Sequence, residues 1–282
     1  MIYLPILGAI ALAGGTIIQR FILKKKGISI WQYSVMEFLA IVLVMAPFIY
    51  FFWKIDSAAF QLKNIILFAL VILFSIIANI LVYYSVKGEK ISNLEPAKVL
   101  EPLFVIILAI IFSFFLPGFD RNPKIIIPAI LSVTALLFSH IKRHHLSFNK
   151  YFLVAIFGSF FFGLELVITK LILNYYNPIT FYFLRGIFIL FFFLIFFHPD
   201  LSKQTKKTKI TILGLGAVWV IYRIAVYYGY MKLGVISTTL IFMLGPMLVY
   251  FFAHLFLKEK LSWKNILSSI VIIASIIYML WI

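Results

Sequence analysis

Apolar residues occupy this chain in long unbroken blocks separated by short polar breaks, and within a block apolar and polar positions do not alternate. The blocks fall at approximately 2–23, 30–53, 62–86, 92–116, 124–141, 151–174, 178–197, 210–231, 235–257 and 262–281. A helix needs roughly 20 apolar residues to cross the hydrocarbon core, whereas a membrane barrel strand needs about ten and alternates. The pattern therefore predicts an all-α polytopic membrane protein with ten transmembrane helices. The breaks carry turn-forming residues: Lys26-Gly27, Pro117-Gly118, Asn122-Pro123, Asn177-Pro178 and His198-Pro199-Asp200. They are too short to hold a soluble catalytic or sensory domain.

Composition agrees with this class. Only 12% of the residues are charged, against roughly 25% in a soluble domain, so the chain has too few polar groups to cover a water-facing surface. The net charge of +16 would suggest nucleic acid in a soluble protein. Here the basic residues sit in short loops, where they act as topological signals, and no nucleic-acid partner is expected. Of the 25 Lys and Arg, fifteen follow odd-numbered helices, five follow even-numbered ones and five lie within helices. The positive-inside rule then places both termini outside a cell membrane that the chain crosses many times. The first apolar block ends in Lys24-Lys25-Lys26 and has no basic stretch before it, which reads as a retained helix rather than a cleaved signal. There is no cysteine, hence no disulfide, thiol nucleophile or cysteine metal site. No cofactor and no metal is expected. His144 and His145, in the break between the halves, have no carboxylate beside them to complete a ligand set.

The two halves of the chain resemble each other. Asn79-Ile80-Leu81-Val82-Tyr83-Tyr84 matches Arg223-Ile224-Ala225-Val226-Tyr227-Tyr228 at an offset of 144, Ile91-Ser92 matches Ile236-Ser237 at 145, and Glu101-Pro102 matches Gly245-Pro246 at 144. The unit holds five helices and divides the chain into residues 1–144 and 145–282. Two tandem copies with an odd number of helices must insert in opposite orientations, which produces an inverted-topology repeat. Two antiparallel halves of that kind can rock about one central site, as secondary transporters do.

Charged groups inside apolar blocks are costly, roughly 2.5–3.5 kcal/mol each at the bilayer centre on insertion scales, so they are candidates for function. Asn79 and Tyr83 share one helix face, as do Arg223 and Tyr227. Under the repeat the two faces oppose each other across a cavity, where Arg223 suits a carboxylate or phosphate. A tyrosine belt with a snorkelling arginine is the competing reading. Glu101 precedes Pro102, whose missing N–H favours a kink that lines a cavity, and Pro246 repeats this beside Gly245. The Glu101 carboxylate can meet a substrate amine, carry a coupled proton, or simply pair with Lys98. Glu37 and Arg185 occupy corresponding places, and with Glu165 and Lys170 they form candidates for ion pairing or gating. Gln19, Arg20 and His254 are lesser members of the polar set.

The two five-helix halves, with Leu233-Gly234-Val235-Ile236-Ser237 leading through Leu244-Gly245-Pro246, Leu257-Lys258-Glu259-Lys260-Leu261 before the last helix, and Asn177-Pro178 followed by Arg185, resemble the drug/metabolite transporter superfamily, in particular its ten-helix EamA-like branch. The sequence departs from the branch where Lys258 stands for the usual glycine and where Glu37 stands near the place of Arg185. The resemblance implies secondary transport of a small organic metabolite, often export, by a monomer or homodimer in a lipid bilayer. A flippase for a lipid-linked sugar or other amphipathic substrate is the alternative within this class. An intramembrane lipid-modifying enzyme is the alternative outside it, but the chain has no HExxH motif, no paired aspartates and no cysteine. No selectivity-filter signature of a channel and no ATP-binding loop is present either.

Overall fold

A computed structural model describes residues 3–89, 94, 97–116, 119, 121–140, 149–202, 204–248, 251 and 263–281. Among these the secondary structure is helical apart from one isolated bridge, Ile55 to Tyr176. The α-helices are α1 (Tyr3–Leu23), α2 (Ile30–Phe52), α3 (Leu62–Gly88), α4 (Leu100–Phe115), α5 (Pro123–His140), α6 (Lys150–Ile172), α7 (Pro178–Phe197), α8 (Lys206–Lys232), α9 (Val235–Phe242) and α10 (Trp263–Trp281). Seven are long and apolar enough to cross a membrane, and the shorter apolar ones are Leu100–Phe115, Pro123–Ser139 and Val235–Leu248. Large apolar side chains such as Leu43, Phe114, Phe191, Ile195 and Ile273 are exposed, which lipid tolerates and water does not. The chain is a multi-pass membrane protein.

Helix starts follow side chains that satisfy the otherwise orphaned N–H groups. Ser29 and Gln32 form a reciprocal capping box at α2. Asn149 caps α6, and Asn177 caps α7 with Pro178 in its first turn. Helix α8 begins at Lys206 rather than near 210, because Thr205 caps it and the lysine-rich first turn is helical although it is not apolar.

Two helical interruptions correspond. Ala97 and Lys98 are helical, Val99 is a turn, and α4 starts at Leu100, while α9 breaks at Met243 and helix resumes to Leu248. Val99 lies at φ −64°, ψ −16° and Met243 at φ −64°, ψ −13°. Each stands three residues before a proline, Pro102 or Pro246. A proline gives no hydrogen bond to the carbonyl four residues earlier and its ring crowds that carbonyl, which weakens the helix at that turn.

The most extensive helix contacts join the halves: α3 with α6, α1 with α8, α5 with α10, and α2 with α7 and α8. Glycines permit the closest crossings. A Cβ at Gly158 of α6 would meet the Val82 side chain of α3 at 2.7 Å, and one at Gly216 of α8 would meet Ala40 of α2 at 2.8 Å. Helices α2 and α7 run antiparallel. Trp31 stacks on Phe197 at one end with ring centroids 3.7 Å apart, and Thr180 donates to the Phe52 carbonyl at the other. The connections pair at both ends of the bundle. Asp56 N–H donates to the Tyr175 carbonyl and Asn177 N–H to the Lys54 carbonyl at one end. Gln204 donates to the Gly27 carbonyl, and Gln32 to the Asp200 carbonyl, at the other.

The Ile91-Ser92 match, Lys258 and the rest of the 257–261 stretch, His144, His145 and His254 lie outside the described residues.

Candidate functional site

A cavity of about 210 Å³ sits among the helices, lined from both halves. Its polar wall includes Gln19 of α1, Glu37 of α2, Asn79 and Tyr83 of α3, Arg185 and Tyr182 of α7, and Arg223 and Tyr222 of α8, with Lys98 and Glu101 on either side of the Val99 break. Pro102, Gly245 and Pro246 also line it, as do apolar groups such as Phe38, Phe162 and Phe242.

The charged groups fall into separate environments. Glu165 of α6 is fully buried and bridges two arginines: Arg223 Nη1 meets Glu165 Oε2 at 3.0 Å, and Arg185 Nε meets Glu165 Oε1 at 3.3 Å. Arg185 Nε also donates to Ser75 Oγ of α3 at 2.8 Å. The guanidiniums lie over aromatic faces, Arg185 over Tyr182 at 5.6 Å and Arg223 over Phe162 at 5.7 Å. Three helices are thus tied by one carboxylate. The arrangement satisfies Glu165 and leaves one positive charge in excess at the cavity wall.

Glu37 lies in a neutral polar cluster. Tyr33, one turn earlier on α2, donates to Glu37 Oε1 at 2.7 Å. Tyr83 of α3 bonds Glu37 Oε2, and the same hydroxyl meets Asn79 Oδ1 at 2.6 Å. Asn79 Nδ2 donates back to the Ser75 carbonyl at 2.7 Å. Glu37 and Arg185 both face the cavity, yet Arg185 pairs with Glu165 instead.

The third carboxylate, Glu101, has no hydrogen bond or ion pair among the described residues, with Lys98 or with anything else. It is an open acidic group on the cavity wall. Lys170 stands apart from the cavity lining, its ammonium donating to the Tyr230 carbonyl at 2.8 Å. Tyr227 is fully buried one layer behind the wall, its ring edge-on to Tyr182 and Phe181. Of the residues expected from the sequence, Asn79, Tyr83, Glu101, Arg223, Glu37, Arg185, Pro102 and Pro246 line the one cavity, and Glu165 is bonded to two of them.

Sequence reasoning missed Tyr33, Ser75, Tyr182, Tyr222 and Trp219, the last of which also lines the cavity. Spacing could have flagged the first two, since Tyr33 is four residues before Glu37 and Ser75 four before Asn79, each on the same helix face. Trp219, four residues before Arg223, and Tyr182, three before Arg185, carried the same signal, whereas Tyr222 had none in a chain with 15 Tyr. Among the described residues no group of three or more His, Asp or Glu could hold a metal ion.

Residues 149–281 match the EamA-like transporter family. A solved crystal structure of a protein 14% identical in sequence superposes at a TM-score of 0.71, covering 99% of this chain and 95% of the other, which establishes that the two share a fold. No curated protein matches the chain by sequence.

Proposed function

We propose, for a chain whose residues 149–281 belong to the EamA-like transporter family, that it is a secondary transporter. It carries a small organic metabolite across the cell membrane by alternating access. The observation that carries this reading is the convergence of costly buried polar groups from both halves on one cavity, since lipid would otherwise make such groups a liability.

In this reading α1–α5 and α6–α10 are inverted repeats, residues 1–144 and 145–282, that together cross the membrane ten times. Helix contacts support it. Exchanging each helix for its counterpart turns the α3–α6 contact into α8–α1, and returns α2–α7, α4–α9 and α5–α10 to themselves. The corresponding interruptions at Val99 and Met243 support it as well. Arg223 receives an anionic group of the substrate and Glu101 a cationic or hydrogen-bonding one, with Asn79 and Tyr83 shaping the space between and Tyr227 buttressing it. Glu37, Glu165 and Arg185 hold the helices that must move, Lys170 anchors the end of α6, and the breaks before Pro102 and Pro246 supply the hinges. Export is the direction of transport, and a proton is the coupled ion.

The test is counterflow in proteoliposomes across amino acids, sugars, nucleotides and organic cations, with single cysteines at two cavity-lining positions, Gln19 near the end of α1 and Thr239 in α9, labelled from each face. The native chain has no cysteine, so each label reports one position. Exchange of at least one solute class, with the two cysteines reached from opposite faces, is expected. No exchange of any class, with both cysteines reached from one face only, would overturn the reading.

A further inference from the structure

We infer that Glu37 is the proton-carrying carboxyl of this protein, holding a proton at neutral pH as a hydrogen-bond donor to Tyr83. The inference rests on the transport reading above for its purpose, but the protonation itself is carried by hydrogen-bond geometry.

Counting donors decides the matter. A tyrosine hydroxyl has one proton to give. The Tyr83 hydroxyl stands between two oxygens, Glu37 Oε2 and Asn79 Oδ1, the latter at 2.6 Å. The Asn79 amide cannot be turned to offer a donor instead, because its Nδ2 already donates to the Ser75 carbonyl at 2.7 Å. Reversal would set two carbonyl oxygens against each other. If Glu37 were ionised, Tyr83 could serve only one acceptor, and its oxygen would face the other lone pair to lone pair. A proton on Glu37 Oε2 resolves the conflict: Glu37 donates to Tyr83, Tyr83 donates to Asn79, and Asn79 donates to Ser75. Tyr33 completes the set by donating to Glu37 Oε1 at 2.7 Å.

The charged neighbours leave room for a neutral Glu37. It is 2% exposed, where an unpaired carboxylate is costly. The nearby cation on α7, Arg185, is bonded to Glu165 and Ser75, and that on α8, Arg223, is bonded to Glu165. Among the residues that line the cavity, the remaining ionisable groups on α3, α7 and α8 are the hydroxyls of Tyr83, Tyr182 and Tyr222, and α1 contributes the uncharged Gln19. Lys98 and Glu101 on the α4 side also line the cavity, and neither is hydrogen-bonded or ion-paired to Glu37. The three buried carboxyls thus divide their tasks. Glu165 sits between two guanidiniums, Glu101 is open to the substrate, and Glu37 holds the proton. Loss of the Tyr83 bond would leave the Glu37 proton without its acceptor and facing the cavity that Glu37 lines.

The experiment is infrared difference spectroscopy of the purified protein at neutral pH, which needs no substrate. A protonated buried carboxyl gives a carbonyl stretching band distinct from that of a carboxylate, and it shifts in D2O. The band is expected in the wild type, to be lost in Glu37→Gln, to persist in Glu101→Gln, and to change frequency in Tyr83→Phe, which removes its acceptor. The wild-type and Tyr83→Phe measurements keep the test decisive even where Glu37→Gln folds poorly. Absence of the band from the wild type, or its loss in Glu101→Gln with no response to Tyr83→Phe, would overturn the inference and leave the transport reading standing. Net movement of a solute down its gradient into pyranine-loaded vesicles without any internal pH change would overturn the coupling role alone.

Discussion

Glu165 of α6 and Arg223 of α8 meet at 3.0 Å inside the bundle, with no solvent access to the carboxylate. Because the same carboxylate also holds Arg185, the three residues are unequal in what their loss leaves behind. Glu165→Ala strands two buried guanidiniums, whereas Arg185→Ala or Arg223→Ala leaves a one-to-one pair. Breaking a buried pair typically costs about 3–5 kcal/mol. Glu165→Ala is expected to lower the thermal unfolding temperature in detergent by more than either arginine substitution, and the double variant Glu165→Ala with Arg185→Ala by less than Glu165→Ala alone. Equal losses for all three single variants would show that the bridge does not organise the core.

Arg223 separates stability from transport. Since Arg185 still balances Glu165 without it, Arg223→Ala is expected to express and fold. Transport of an anionic or zwitterionic substrate should fall at least about tenfold, the worth of roughly 1.4 kcal/mol of lost interaction. Counterflow with the purified variant measures this, and unchanged affinity would place Arg223 in a structural role.

Glycine at the α2–α8 crossing makes a packing prediction. A Cβ at Gly216 would come 2.8 Å from Ala40 Cβ and 2.9 Å from its carbonyl carbon, so the backbone itself would have to shift. Gly216→Leu is expected to destabilise by at least about 1–3 kcal/mol, the usual range for overpacking. Gly14→Ala, where nothing lies within 4 Å, is expected to be neutral or to stabilise by up to about 1 kcal/mol through helix propensity. Thermal unfolding of the two variants side by side checks both.

Topology is testable without any substrate. The distribution of basic residues predicts that reporters fused after Lys150 and Lys207 report the cytoplasm and that one fused after Ile282 reports the outside. The opposite pattern would reverse the orientation while leaving the helix contacts intact.

Much of the fold was legible along the chain. The hydrocarbon thickness sets a minimum length for any spanning helix, so apolar blocks at 30–53 and 178–197 become helices at Ile30–Phe52 and Pro178–Phe197 almost residue for residue. The polar breaks supply the caps, as at Ser29, Asn149 and Asn177. Helix α8 departs from its block because its first turn is helical without being apolar, and the blocks at 92–116 and 235–257 are each interrupted ahead of a proline, at Val99 and Met243.

Candidate charges were legible too, because a charge in an apolar block stands out against the cost of placing it there. Their partners were not. The sequence left Arg185 to pair with either Glu37 or Glu165, and the structure gives Arg185 to Glu165 and surrounds Glu37 with Tyr33 and Tyr83. Which side chains meet depends on how far each helix turns about its own axis and on the depth at which it crosses its neighbours. Those quantities are set by contacts between residues far apart in sequence, such as Gly216 against Ala40 and Gly158 against Val82. Local apolar pattern determined that the helices exist. Only their mutual packing decided which buried carboxylate is paired, which is open and which shares a hydroxyl, because a buried charge requires a partner but its own neighbours in sequence do not specify which one.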